Sequence, residues 1–324
     1  MSLPRASPRH LERRLDIDAL AISCADRLES YLDEEGKSLI PVPLPLLRVE
    51  HEAEGVVTLW VDVPRSMAIS YTPGQYYMCW NPYDAEGGMK RRDYNSEKPY
   101  SVGDIKVDID RAKMGFTVKD LGRQSGELTR MARGDWLALR GPFGTTFPTP
   151  TAGDRLLLIS GGIGSTPMHM AAKDARNRLG EEVEIIAVMG FKNAGEAHYI
   201  ERMEQVCDQL FITTDDGSLG TEGFPTAVLP ELLATDPTAI SSNSTESGTT
   251  RLYTCGPEPM MKVVLQMAAD AGIESYAAME RYLPCSMAVC GLCMVGDRLT
   301  CVEGPVMDGE WLLEQDDFGA AHAH

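Results

Sequence analysis

The chain has 324 residues, 43% of them hydrophobic and 24% charged, with a formal net charge of −18. At about 150 residues per domain, this length predicts two or three domains, each able to bury a core. The longest apolar runs, such as Leu156–Ile159, are strand-sized and far short of the ~20 residues that cross a bilayer. An excess of acid, 48 Asp and Glu against 30 Lys and Arg, excludes a binder of the nucleic-acid backbone.

Residues 11–32 place Leu11, Leu15, Leu20, Cys24, Leu28 and Tyr31/Leu32 at helical spacing between charges, which predicts an amphipathic helix. Pro41, Pro43 and Pro45 then interrupt the pattern, so residues 1–40 are expected to be a helical extension, packed on the body or loosely ordered, with a partner-binding helix as the alternative. Arg5, Arg9, Arg13 and Arg14 hint at a transit peptide, but Glu12, Asp16 and Asp18 oppose it, and no signal-peptide pattern opens the chain. A cytoplasmic location is expected.

From 41 to 150 short β segments alternate with turn residues: Val56–Val63, Gln75–Trp80 after a Pro-Gly turn, Phe116–Val118 and Trp136–Arg140. This punctuation predicts a small antiparallel β-barrel. The polar stretch Asn81–Glu97 reads as a long loop. From 151 to 273 the pattern becomes strand Arg155–Ser160, helix Thr166–Leu179, strand Glu184–Met189, helix His198–Gln209 and strand Leu210–Thr214. Strand Leu252–Thr254 and helix Pro257–Ala271 follow. Alternating strand and helix predict a parallel α/β sheet. Within it, Ala234–Thr250 is polar, of low complexity, and expected to be a loop. Residues 274–324 form the third expected unit, where cysteines gather ahead of a polar tail.

Four of the eight cysteines, Cys285, Cys290, Cys293 and Cys301, fall in the spacing C-x4-C-x2-C-x7-C. Three thiolates on one tight loop and a fourth beyond it match the plant-type [2Fe–2S] pattern. Structural zinc is the competing reading, though it favours two C-x2-C pairs. Gly161-Gly162-Ile163-Gly164-Ser165-Thr166-Pro167 follows an apolar strand and opens a helix. Such glycines let a pyrophosphate approach backbone N–H groups, and a simple tight turn is the alternative. Tyr253-Thr254-Cys255-Gly256-Pro257 repeats the strand–turn–helix geometry, with Cys255 where nucleotide sites of α/β sheets lie; a small buried residue before a helix is the plainer reading. Lys98-Pro99-Tyr100-Ser101 offers a cation, an aromatic face and a hydroxyl at a strand entry, and Gly122-Arg123-Gln124-Ser125 opens a short helix. Asp215-Asp216 after a strand is either an Asp-Gly turn or a ribose-binding pair that repels a 2′-phosphate.

In this order the motifs resemble the ferredoxin–NADP reductase superfamily. Met279-Glu280-Arg281-Tyr282, the four cysteines and Glu303-Gly304-Pro305-Val306-Met307 narrow the resemblance to the dihydroorotate dehydrogenase electron transfer subunits, over about residues 46–312. That resemblance implies an FAD-binding barrel, an NAD-binding α/β domain and a small C-terminal [2Fe–2S] domain. Lys98, Pro99, Tyr100 and Ser101 correspond to its flavin-ring segment, and Gly122 and Ser125 to its FAD phosphate turn. Gly161, Gly162, Gly164, Thr166 and Pro167 match the nucleotide loop. Asp215, Asp216, Gly256 and Pro257 match the rest of that site, with Cys255 the catalytic residue beside the nicotinamide. Cys285, Cys290, Cys293 and Cys301 match the cluster ligands. The implied partner is a catalytic FMN subunit, in a heterotetramer active in pyrimidine biosynthesis. A diaphorase subunit of a sulfide dehydrogenase, ferredoxin–NADP oxidoreductase, sulfite reductase or hydrogenase is the alternative. The family usually has glycines between its first two cysteines, where this chain has Ser286, Met287, Ala288 and Val289. That loop is therefore expected to differ in shape or in cluster stability.

Overall fold

The computed structural model describes residues 16–29, 32–34, 36–83, 88–90, 97–234 and 248–320. The arginines at 5, 9, 13 and 14, most of the Asn81–Glu97 and Ala234–Thr250 segments, and the last four residues lie outside them. No helix among the described residues is long and apolar enough to cross a membrane. The chain divides into two compact units, residues 1–143 with 283–290, and residues 144–282 with 291–324.

The first unit is built on helix α1 (Ile17–Glu29) and strands β1 (Ser38–Pro45), β2 (Arg48–Ala53) and β3 (Val56–Pro64). Helix α2 (Arg65–Ser70) and strands β4 (Tyr76–Trp80), β5 (Lys98–Val107) and β6 (Arg111–Lys119) follow, then helix α3 (Arg123–Leu128) and strand β7 (Trp136–Phe143). The strands form one antiparallel sheet in the order β1-β7-β4-β5-β6-β3-β2. Among the described residues no ladder joins its edge strands β1 and β2, so the predicted barrel is a half-barrel sheet.

Two local expectations change. The proline triplet does not interrupt the chain but lies in β1, an edge strand. Pro41, Pro43 and Pro45 alternate, so their missing N–H groups fall on the side facing away from β7, where no ladder bond is needed. β3 reads as an alternating strand, yet every one of its residues is buried. The reason is α1, which packs on β1 and β3 through Ile17, Ala21, Cys24, Ala25 and Leu28. Arg111 fastens this helix, donating to Ile22 O at 2.8 Å and pairing with Asp26 and Asp62.

The second unit holds β8 (Arg155–Gly161), α4 (Ser165–Leu179), β9 (Glu184–Phe191), α5 (Ile200–Glu204), β10 (Gln209–Thr214), β11 (Thr221–Glu222) and α6 (Leu229–Ala234). It continues with β12 (Thr250–Cys255), α7 (Glu258–Asp270), β13 (Glu274–Ala278), the hairpin β14 (Met294–Val295) and β15 (Arg298–Leu299), α8 (Thr300–Glu303), β16 (Val306–Asp308) and α9 (Gly309–Leu313). Its main sheet has the order β11-β10-β9-β8-β12-β13-β16, parallel except for the β13–β16 pair. Both faces are covered, which explains the continuous apolar strands. In β8, Leu156 and Leu158 enter one core with Met168, Ala172 and Ala175 of α4, while Leu157 and Ile159 enter another with Val264 and Ala268 of α7.

The segment after residue 274 is less separate than its composition suggests. β13 and β16 are strands of the main sheet, and Val295, Met307, Leu312 and Phe318 share a core with Met261 and Leu265 of α7. The predicted helix His198–Gln209 shrinks to α5, because Tyr199 takes a left-handed conformation (φ 67°) and His198 is held outside the helix.

Candidate functional sites in the two units

In the first unit Lys98, Pro99, Tyr100 and Ser101 open β5, all half-buried. Strand alternation puts Lys98 and Tyr100 on one face and Pro99 and Ser101 on the other. Burial lowers the Lys98 pKa. The Tyr100 hydroxyl donates to Gln124 Oε1 at 2.7 Å, and Gln124 Nε2 donates to Cys79 O at 3.1 Å. Gln124, on α3, thus ties the aromatic residue of one motif to the helix of another. Ser125 Oγ accepts from Leu121 N at 3.0 Å and donates to Gly122 O at 3.2 Å, so this hydroxyl shapes the turn itself. A Cβ at Gly122 would meet nothing within 4 Å, leaving the backbone before α3 open to a ligand.

Cys285 and Cys290 also belong to the first unit. Burial pushes the Cys285 thiol up, but N–H donors from Met287, Cys290 and Val289, with the Cys290 side chain, outweigh it and bring the pKa down to about 7. The loop wraps these donors around one sulfur by turning left-handed at Ser286 (φ 56°) and Ala288 (φ 59°). Non-glycine residues therefore occupy the conformations that glycine would take freely, at roughly 1 kcal/mol each.

In the second unit the glycine loop and the Cys-Gly-Pro turn pack backbone against backbone. β8 and β12 are paired with Ser160 opposite Cys255. A Cβ at Gly164 would lie 2.2 Å from Cys255 O, so only glycine permits the contact. Thr166 and Pro167 are buried in the first turn of α4, and Thr166 Oγ1 has no hydrogen-bond partner among the described residues. Ser165 Oγ lies 3.0 Å from His198 Nε2, and His198 Nδ1 lies 2.8 Å from Glu196 O. Since a carbonyl only accepts, Nδ1 carries a proton, and in the neutral imidazole the Ser165 hydroxyl donates to Nε2. Neither His198 nor this link was visible in the motif spacing.

Cys255 is buried, and its Sγ lies 3.9 Å from Glu280 Oε1. Burial first, then the Glu280 charge and hydrogen bond, raise the thiol well above its ordinary pKa, so it stays protonated. Sequence reasoning missed Glu280 as a site residue. The signal is topological: β12 and β13 are parallel with Cys255 opposite Ala278, so both chain segments leave the same sheet edge, where α/β sheets place their ligands. Asp215 and Asp216 are exposed at the same end of β10, and Ser218 Oγ and N donate to Asp216 Oδ1 at 2.6 and 3.0 Å. These bonds, the side-chain one foremost, lower the Asp216 pKa.

Cys293 and Cys301 lie in the second unit, both buried, and Thr300 N donates to Cys293 O at 3.1 Å, holding the two turns together. Among the described residues no group of three or more His, Cys, Asp or Glu side chains is drawn together as metal ligands.

An antiparallel half-barrel sheet followed by a parallel α/β sheet is the fold of the ferredoxin–NADP reductase class. The chain resembles the solved NADH-dependent reduced ferredoxin–NADP oxidoreductase of flavin-based electron bifurcation with TM-score 0.65 and 23% identity, covering 84% of this chain and 89% of that one. A ferredoxin–NADP+ reductase from Neisseria gonorrhoeae matches with TM-score 0.52 and 20% identity, over 75% of this chain and 95% of that one. No protein-family model matches. The particular family comes from curated relatives. A protein of Methanocaldococcus jannaschii, described as probable dihydroorotate dehydrogenase B (NAD(+)), electron transfer subunit, is 31% identical over 281 residues, 86% of this chain and 94% of its own. Proteins of the same description from Pyrococcus furiosus (34%, over 78% of this chain and 86% of the relative) and Methanocella arvoryzae (35%, over 85% and 93%) agree. The chain belongs to the family of dihydroorotate dehydrogenase B electron transfer subunits.

Proposed function

We propose that this chain carries electrons between a separate dihydroorotate-oxidising subunit and NAD+, holding FAD on its half-barrel unit, NAD on its parallel-sheet unit and a [2Fe–2S] cluster on Cys285, Cys290, Cys293 and Cys301. The observation that carries this reading is family membership along nearly the whole length of the relatives. When bound, the cluster supplies one-electron and FAD two-electron chemistry, so that a hydride can be exchanged with the nicotinamide.

Residues of the two units fit FAD and NAD, and the Cys285 loop fits a thiolate ligand of the cluster. Lys98, Tyr100 and Ser101 give one strand a cation, an aromatic ring and a hydroxyl for a flavin, with Pro99 stiffening its start. Gly122 leaves open backbone, and Ser125 shapes the turn, where the FAD phosphates would lie. Gly161, Gly162 and Gly164 allow close backbone approach, and the N-terminus of α4 offers N–H donors to a pyrophosphate. Thr166, in the first turn of α4, has a buried hydroxyl with no hydrogen-bond partner among the described residues. Pro167 lies buried in the first turn of α4, and Gly256 and Pro257 shape the opposing turn. Cys255, kept protonated, offers a neutral donor beside Glu280, while Asp215 and Asp216 favour ribose hydroxyls over a 2′-phosphate. Three N–H groups directed at the Cys285 thiol favour its thiolate, the form that binds iron.

A second reading keeps the cofactors and changes the partner, because the structural neighbour of highest TM-score above is a ferredoxin–NADP oxidoreductase. Anaerobic purification of the native complex separates the two. Flavin and iron–sulfur absorption together with a co-purifying FMN subunit that reduces NAD+ with dihydroorotate is the expected result, as a heterotetramer. A colourless zinc protein, or a different partner with no dihydroorotate activity, would overturn the proposal.

A further inference from the structure

Arg140 and Glu97 form an ion pair, Nε to Oε2 at 2.7 Å, with side chains only 1% and 4% exposed. Glu97 leads into the Lys98–Ser101 motif, while Arg140 lies outside the sequence motifs. Burying two charges costs several kcal/mol each, and apolar replacements of such pairs are often neutral or stabilising. Stability alone is thus a poor explanation for this pair.

Its connections point elsewhere. Arg140 stands on β7 opposite Met78 of β4, with its guanidinium 5.1 Å from the Phe143 ring. Its Nη2 donates to the carbonyl of Cys285 at 2.9 Å, across 145 residues of sequence. Its Nη1 is buried with no hydrogen-bond partner among the described residues. Glu97 immediately precedes Lys98, the first residue of β5. All three segments belong to the first unit. A single guanidinium therefore links the start of the flavin strand to the main chain of the first thiol ligand.

We propose that Arg140 is a positioning residue for the cluster: it fixes the Cys285 loop and, balanced by Glu97, sets the local charge that the cluster experiences. This rests on the cofactor assignment above. Reduction adds negative charge to a cluster, so a nearby cation favours the reduced state and a nearby carboxylate opposes it. The pair keeps these influences matched, and each partner removed alone unbalances them in the opposite direction.

The test uses the full chain purified anaerobically with its cofactors, as wild type, Arg140→Gln, Arg140→Lys and Glu97→Gln. Iron and sulfide are measured per FAD, and the cluster midpoint potential is followed by EPR during a redox titration. Arg140→Gln is expected to lower the potential and the iron content. Glu97→Gln is expected to raise the potential. Arg140→Lys, keeping the charge but not the two-pronged geometry, is expected to stay nearer the wild-type potential than Arg140→Gln while losing iron faster. A merely structural role would not give shifts of opposite sign. An unmoved potential in Arg140→Gln with full iron, or shifts of the same sign in both Gln variants, overturns the proposal. Should Arg140→Gln fail to fold, a Glu97→Gln potential that does not rise overturns it equally. Wild type without iron–sulfur signals overturns the cofactor assignment and this inference with it, whereas intact wild type with unmoved variants overturns this inference alone.

Discussion

The Tyr100 hydroxyl donates to Gln124 Oε1 at 2.7 Å, while the amide nitrogen of the same Gln124 donates to Cys79 O. One amide thus orients the ring proposed to meet the flavin and anchors helix α3 to strand β4. Gln124→Leu removes both bonds at nearly constant volume. At about 1 kcal/mol per hydrogen bond, the FAD dissociation constant should rise roughly 5- to 30-fold. Flavin fluorescence on titration measures this, and an unchanged constant would remove Gln124 from the site.

Ser286 and Ala288 hold left-handed conformations, and the buried Ser286 Oγ has no hydrogen-bond partner among the described residues. Ser286→Gly and Ala288→Gly should each stabilise the native protein by up to about 1 kcal/mol, less part of glycine's entropy in the unfolded chain. Ser286→Gly should gain more, since it also deletes the orphaned hydroxyl. Urea denaturation curves, compared at equal cofactor loading, decide the ranking.

Gly164 has no room for a side chain, because a Cβ would meet Cys255 O at 2.2 Å. Gly164→Ala should force the two strand-end loops apart at a cost of about 1–3 kcal/mol. NADH affinity, measured by protein fluorescence quenching, should fall at least tenfold with a lowered melting temperature. Gly162→Ala is the comparison: a Cβ there would meet nothing within 4 Å, but φ is 54°, so only backbone strain of about 1 kcal/mol is expected.

The buried Cys255 thiol holds its proton more tightly in the native state than in the unfolded chain. Its contribution is therefore intact below the ordinary thiol pKa of about 8.5. It is lost progressively above that pH, as the unfolded thiol ionises and the native one does not. Buried Cys79, raised by burial and then by the Glu97 charge, acts in the same direction. Between pH 7.5 and 10 the stability of Cys255→Ala should decline less steeply than that of wild type. Equal slopes would show that the thiol does not contribute to the alkaline loss.

Asp215 and Asp216 are exposed at the carboxyl end of β10. Replacing both with Ser removes two negative charges from the proposed ribose site and should narrow the preference for NADH over NADPH by about tenfold. The ratio of kcat/KM for the two nucleotides, with a dye as electron acceptor, measures it. An unchanged ratio would place nucleotide selectivity elsewhere.

The sequence by itself determined what is written in contiguous residues. The four-cysteine spacing, the Gly161–Gly164 turn after an apolar strand, and the switch near residue 151 from short strands to alternating strand and helix all depend on local backbone chemistry. Tertiary structure decided what depends on partners distant along the chain. It set the three prolines of β1 on a sheet edge, where their absent N–H groups cost nothing, and covered β3 with α1 so that alternation vanished into full burial. It placed Glu280 beside Cys255, 25 residues away, because parallel strands β12 and β13 end together. It also joined Arg140 to Glu97 and to the Cys285 carbonyl across 43 and 145 residues. A buried charge finds its counter-charge only when the chain folds, and no periodicity in the sequence records where that partner lies.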